Sequence, residues 1–94
     1  MKTTKVPGRN KSHRVLVYAL STCAWCKKAK TFIKNSGFEY EYVDIDLCSE
    51  EEQEEIRRDI QKRGGRSSFP TIIIDDKIII TGFHEDRIKE ALER

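Results

Sequence analysis

No stretch of about 18 apolar residues occurs in this 94-residue chain, and that excludes a membrane-spanning helix. The N-terminus lacks the apolar segment that follows the charges of a secretory signal, so the expected location is the cytoplasm. Charge of one sign is also scarce. Eighteen Lys and Arg against sixteen Asp and Glu leave +2, too little to point to a nucleic-acid or membrane partner. Cysteine is sparse and odd in number, three in all, which argues against a secreted framework that pairs every sulfur. The length fits one domain with a modest core. No internal repeat or low-complexity tract divides it.

The basic residues that do cluster lie at the start: Lys2, Lys5, Arg9, Lys11 and Arg14, in a polar stretch with Pro7 and Gly8. Residues 1–13 are therefore expected to be a flexible basic N-terminal tail, and residues 14–94 the folded domain. An arm for an anionic surface is the alternative, but it has no aromatic residue for stacking on bases.

Within the domain, Val15-Leu16-Val17-Tyr18-Ala19-Leu20 is a continuous apolar run, as expected of a buried central strand. Ala29, Phe32 and Ile33 at helical spacing, with lysines at 27, 28, 30 and 34, predict an amphipathic helix from residue 24 to about residue 35, ended by Gly37. Residues 38–46 alternate apolar and acidic side chains and predict a second strand with one packed and one wet face. Ser49 followed by Glu52 is a capping-box pattern opening a helix. That helix is acidic first and basic last, with Glu54 and Arg58 as an i,i+4 pair, an arrangement that suits the helix dipole and also fits a docking surface for a basic protein. Gly64-Gly65 ends it. Phe69-Pro70-Thr71-Ile72-Ile73-Ile74 and Ile78-Ile79-Ile80 predict a hairpin turned at residues 75–77, and Ile88, Ala91 and Leu92 a last helix. The order βαβαββα predicts an α/β fold: a four-stranded mixed sheet flanked by helices, with one parallel pair made by a right-handed crossover.

Cys23-Ala24-Trp25-Cys26 falls where the first strand gives way to the first helix. Free N–H groups at a helix start stabilise anions, so the junction favours thiolate at Cys23. Cys26, one turn on, is within disulfide reach and is the natural resolving thiol. Such a pair moves two electrons by thiol exchange and requires no organic cofactor. Half of a zinc site, or two inert thiols, are the alternatives. Zinc wants four ligands, and Cys48, His13 and His84 are not spaced as a second pair, so no intrachain metal site is expected.

The segment from Val17 through Cys26, with Ser68-Phe69-Pro70-Thr71 and Thr81-Gly82-Phe83, resembles the glutaredoxin family over residues 14–94. The resemblance implies a thioredoxin-like fold and a dithiol/disulfide oxidoreductase that reduces protein or low-molecular-weight disulfides. Cys23 would be the nucleophile and Cys26 the resolver, forming a redox-active disulfide. Pro70 would be cis and face the thiols, Phe69 would pair its backbone with a bound chain, and Thr22, Trp25, Gly82 and Phe83 would complete the substrate surface. Cis bonds make up about 5% of X–Pro bonds, so one marks a specific turn.

Leu20 stands where many members carry a lysine for glutathione, and Phe83-His84-Glu85 replaces a small residue followed by acids. Gly82-Phe83 is similar to the NrdH-redoxin branch, which implies a thioredoxin-reductase-type donor and ribonucleotide reductase as a client; glutathione or another thiol is the alternative donor. Two further readings stand beside the expected monomeric electron carrier: a glutaredoxin carrying an iron–sulfur cluster between two chains, and a non-catalytic protein-binding module of the same fold.

Overall fold

Apolar β-branched runs form the strands at the centre of the molecule, and the amphipathic segments between them form helices on both sides. The computed structural model describes residues 3–93. In chain order the elements are β1 (Thr4–Val6), β2 (Val15–Ala19), α1 (Ala24–Asn35), β3 (Tyr40–Asp44), a 3-10 turn (Ile45–Leu47), α2 (Glu50–Lys62), β4 (Thr71–Ile74), β5 (Ile78–Thr81) and α3 (Glu85–Leu92). The strands lie in the order β1-β3-β2-β4-β5. β2 and β3 run parallel around the α1 crossover, and β4 and β5 add antiparallel neighbours on the far side of β2.

Residues 3–93 thus contain five strands where four were expected, and the extra one lies in the expected tail. Thr4–Val6 pairs antiparallel with β3, Lys5 opposite Glu41 and Val6 opposite Tyr40. Asn10 extends the attachment, its N–H donating to the Gly37 carbonyl at 2.9 Å and its carbonyl accepting from the Glu39 N–H at 2.9 Å. The physical reason is that β3 would otherwise be an open edge with unpaired backbone groups. An edge strand can keep polar side chains in water, so composition alone imitates a tail. Gly8 carries the local signal: a Cβ there would come within 2.5 Å of the Phe38 and Glu39 backbone. The first two residues of the expected tail lie outside the described residues.

Two apolar layers cover the sheet. On one face Val17, Ala19, Ile72 and Ile80 pack against Ala29 and Ile33 of α1 and Ile88 and Leu92 of α3; on the other, Tyr18, Val43 and Ile73 pack against Ile56 and Ile60 of α2. The expectation of one wet face on β3 is corrected here. Tyr40 and Tyr42 belong to the α1/α3 layer, whereas Val43 and Ile45 belong to the α2 layer. The period-two pattern changes phase at Tyr42–Val43, because helices lie over both faces.

The helix ends follow their local signals. Ser36 and Gly37 donate to the Phe32 and Lys34 carbonyls at 3.0 Å and close α1, with Gly37 at φ +85°. Ser49 and Glu52 form the reciprocal capping box of α2. Asp75 and Asp76, at φ +56° and +57°, make the left-handed turn of the β4–β5 hairpin.

Candidate active site

β2 ends at Ala19, and Leu20-Ser21-Thr22 carries the chain to Cys23, the N-cap of α1. The Cys23 N–H donates to the Leu20 carbonyl at 3.2 Å, a tight turn that sets the sulfur over the first helical turn. There the Cys26 N–H donates to Cys23 Sγ at 3.2 Å, so the sulfur occupies the place a Ser or Asp oxygen takes at other N-caps. Cys23 is half-exposed, Cys26 has no exposed surface, and both are free thiols. Burial, followed by the hydrogen bond to Cys23, pushes the Cys26 thiol up to about 12. An incoming molecule therefore meets Cys23 while Cys26 waits beneath it as a thiol.

Pro70, Gly82 and Phe83 reach the same end of the sheet through strand register. Thr71 pairs with Tyr18 near the end of β2 and with Thr81 at the end of β5. The Phe69–Pro70 bond is cis and Pro70 is buried. The Thr71 hydroxyl donates to the Ser68 carbonyl at 2.6 Å and holds that turn. The Gly82 N–H donates to the Pro70 carbonyl at 2.7 Å, and Gly82 adopts φ +88°, which favours glycine. Phe69, Phe83 and Cys23 all pack on the α1/α3 apolar layer. Trp25 remains 58% exposed, its ring 6.3 Å from that of Phe83. Thr22 is exposed beside Cys23 in the chain.

Cys48 lies apart from these residues, whereas the His84 ring lies against Gly82, 3.4 Å from where a Cβ there would sit. Cys48 follows the 3-10 turn on the α2 side, where burial and then Glu52, Asp46 and Asp44 raise its thiol above the ordinary value. His84 is the N-cap of α3 and makes no side-chain capping bond. Among the described residues no group of three or more His, Cys, Asp or Glu side chains is placed to hold a metal ion. No described helix is long and apolar enough to cross a membrane.

Two features of the site carry no local sequence signal. Asp46 accepts from both the hydroxyl and the backbone N–H of Ser21, pinning the turn that presents Cys23. Those bonds, the hydroxyl first, hold its carboxyl below the ordinary range. Lys30 of α1 meets Asp44 of β3 at 3.0 Å with both side chains largely buried, and its ammonium lies 3.9 Å from the centre of the Tyr42 ring. Both partners become visible only once β3 lies beside β2.

Comparison with known proteins agrees with this geometry. The family model described as Glutaredoxin matches residues 15–79, a span that contains Cys23, Cys26 and Pro70. A glutaredoxin-like 8.6 kDa protein of the rubredoxin operon of Clostridium pasteurianum is 31% identical over 85% of this chain and 99% of its own length. The crystal structure of the glutaredoxin from Methanosarcina mazei Go1 superposes with a TM-score of 0.84 at 38% identity, covering 100% of this chain and 90% of that one. The glutaredoxin-like NrdH-redoxin of Escherichia coli, described as having a thioredoxin-like activity profile, gives a TM-score of 0.65 at 27% identity over 82% of this chain and 92% of that one. A thioredoxin-like fold with the Cys-x-x-Cys pair at the β2–α1 junction, matched by family, relatives and solved structures alike, makes this chain a member of the glutaredoxin family.

Proposed function

We propose that the chain is a dithiol/disulfide oxidoreductase in which Cys23 is the nucleophile and Cys26 the resolving thiol. The observation that carries this reading is the half-exposed Cys23 sulfur at a helix N-cap, 3.2 Å from the Cys26 N–H, with the second sulfur buried one turn on. Cys23 thiolate attacks one sulfur of a substrate disulfide; a Cys23–substrate bond forms and the other substrate sulfur leaves as thiolate. Cys26 then gives up its proton and attacks Cys23 Sγ, releasing the second substrate thiolate. The substrate has gained two electrons and the protein holds a Cys23–Cys26 disulfide. Once Cys23 is in the mixed disulfide, it no longer presents a thiolate that raises the Cys26 thiol, which favours resolution at that moment.

Substrates are protein or low-molecular-weight disulfides, with Thr22, Trp25, Phe69, Pro70, Gly82 and Phe83 as the surrounding surface. The donor that reopens the Cys23–Cys26 bond is a thiol or a thioredoxin-reductase-type enzyme. Leu20 and Phe83, both partly buried against the apolar layers, offer no charge to a glutathione carboxylate and favour the reductase.

Reduction of bis(2-hydroxyethyl) disulfide tests the chemistry. Cys23→Ser should lower the rate by about a thousandfold or more, and Cys26→Ser should accumulate a mixed disulfide seen as a mass increment on the protein. A fully active Cys23→Ser variant would sink the reading. Supplying reduced glutathione with its reductase, or a thioredoxin reductase system, to the oxidised protein identifies the donor.

A further inference from the structure

Helix α1 contains lysines at 27, 28, 30 and 34 and no acidic residue over Ala24–Asn35. Lys30 is engaged by Asp44. Lys27, Lys28 and Lys34 are exposed, and none of them joins an ion pair among the described residues. The Lys28 ammonium lies 4.4 Å from the centre of the Trp25 ring. That ring starts an aromatic row leading away from Cys23: Trp25 to Phe83 at 6.3 Å, then Phe83 to Phe32 at 6.1 Å, edge to face. The row borders a groove of about 500 Å³ whose charged rim is Lys27, Lys28 and a single carboxylate, Glu85. The dense acidic run of Glu50, Glu51, Glu54 and Glu55 lies on α2, over the opposite face of the sheet. The groove beside the first turns of α1 thus combines apolar rings with two exposed ammonium groups, and the carboxylate that lines it is Glu85.

A small uncharged disulfide reaching Cys23 needs neither Lys27 nor Lys28, whereas a polypeptide disulfide has flanking residues to lay along them. We propose that the groove lined by Phe83 and Phe32, next to the Trp25 ring, docks a protein substrate whose disulfide is flanked by acidic residues and an apolar side chain, with Lys27 and Lys28 selecting for the acids. The proposal rests on the oxidoreductase reading of Cys23 and Cys26. Charge complementarity argues for an acidic protein partner: the apolar row seats a side chain and the two ammonium groups meet carboxylates. Opposite charges steer encounter and so act on the bimolecular rate, in a manner that salt screens.

The test uses two synthetic peptides, each closed by one disulfide and differing only in the flanking residues, Glu-Leu in one and Lys-Leu in the other. Each is mixed with the reduced full-length protein, and the second-order rate is divided by that for uncharged bis(2-hydroxyethyl) disulfide, which removes any effect on the thiolate itself. The acidic peptide should react about tenfold faster than the basic one at about 0.02 M salt, the ratio shrinking toward about two at about 0.5 M. Lys27→Glu with Lys28→Glu should invert the preference, and Lys27→Gln with Lys28→Gln should bring the ratio near one. Equal rates for the two peptides, or a preference untouched by either double variant, overturn the proposal. So does an unchanged peptide preference combined with loss of binding to single-stranded DNA or anionic vesicles, which would assign the lysines to those surfaces instead. Failure to reduce either peptide or the small disulfide would overturn the Cys23–Cys26 reading itself, and is distinct from a failure of selectivity.

Discussion

Of the two sulfurs, Cys23 lies half-exposed at the start of α1 while Cys26 has no exposed surface, so an incoming disulfide meets Cys23 first. In the proposed exchange, that difference in access and the burial that raises the Cys26 thiol set the order of the two attacks. Presentation of Cys23 depends on its neighbours, and Ser21 is held from outside its own segment. Both of its bonds go to Asp46, across to the 3-10 turn. Asp46→Ala should therefore lower the second-order rate with a small disulfide by about three- to tenfold, through a looser Cys23 turn. Asp46→Asn, which keeps one acceptor, should fall between. Identical rates for all three proteins would remove Asp46 from the positioning of Cys23.

At the scale of the element, α2 separates what stabilises a helix from what merely decorates it. Ser49 Oγ accepts the Glu52 N–H at 3.2 Å and Glu52 accepts the Ser49 N–H at 3.1 Å, satisfying two otherwise free donors. The Glu54–Arg58 contact, at 3.4 Å between exposed side chains, is an ion pair of the kind that water and salt weaken. Ser49→Ala should cost about 1 kcal/mol, or roughly 4–8 °C of Tm in a domain of this size. Arg58→Ala should shift Tm by less than half of that. Circular-dichroism melts compare the two, and a larger loss for Arg58→Ala would reverse the ranking. α2 packs under the sheet face away from Cys23, so neither change should alter the rate with a small disulfide by more than about twofold.

For the whole molecule, the clamp at the end of the sheet remote from Cys23 joins parts of the chain that are far apart in sequence. The Asp75 carboxylate accepts from the Arg14 N–H at 2.9 Å and bonds His13, while its own N–H donates to the Arg14 carbonyl at 2.8 Å. The β4–β5 turn is thus tied to the segment that enters β2. The His13 bond, followed by the Arg14 N–H, holds the Asp75 carboxyl below the ordinary range. Such a group binds fewer protons in the folded than in the unfolded chain. Its stabilisation is complete above the unfolded value of about 3.9 and is lost as pH falls through the lower folded value. Asp75→Asn should lower Tm at pH 7, and the gap to the parent should close as pH drops below about 4. Melts across that range check it; a gap that widens in acid would give the clamp the wrong sign.

Features with local signals are readable from the residues alone: the Cys23–Cys26 spacing at a strand-to-helix junction, the α1 lysine face closed by Gly37, the Ser49–Glu52 box and the β4–β5 hairpin. Each is written within a few residues, and the parallel β2–β3 pair follows from them through the handedness of a crossover. Which distant groups meet depends instead on the packing of the folded chain. It turned the polar residues 4–6 into an edge strand, because β3 had backbone groups to pair. It showed β3 to pack on both faces, because α2 lies over Val43 and Ile45. It brought Asp46 to Ser21, and Phe83 and Phe32 into line with Trp25, contacts that bridge tens of residues or separate elements and leave no periodicity to read. The proposed disulfide chemistry is legible in four consecutive residues, whereas the aromatic row beside them exists only where α1 and the end of β5 come together.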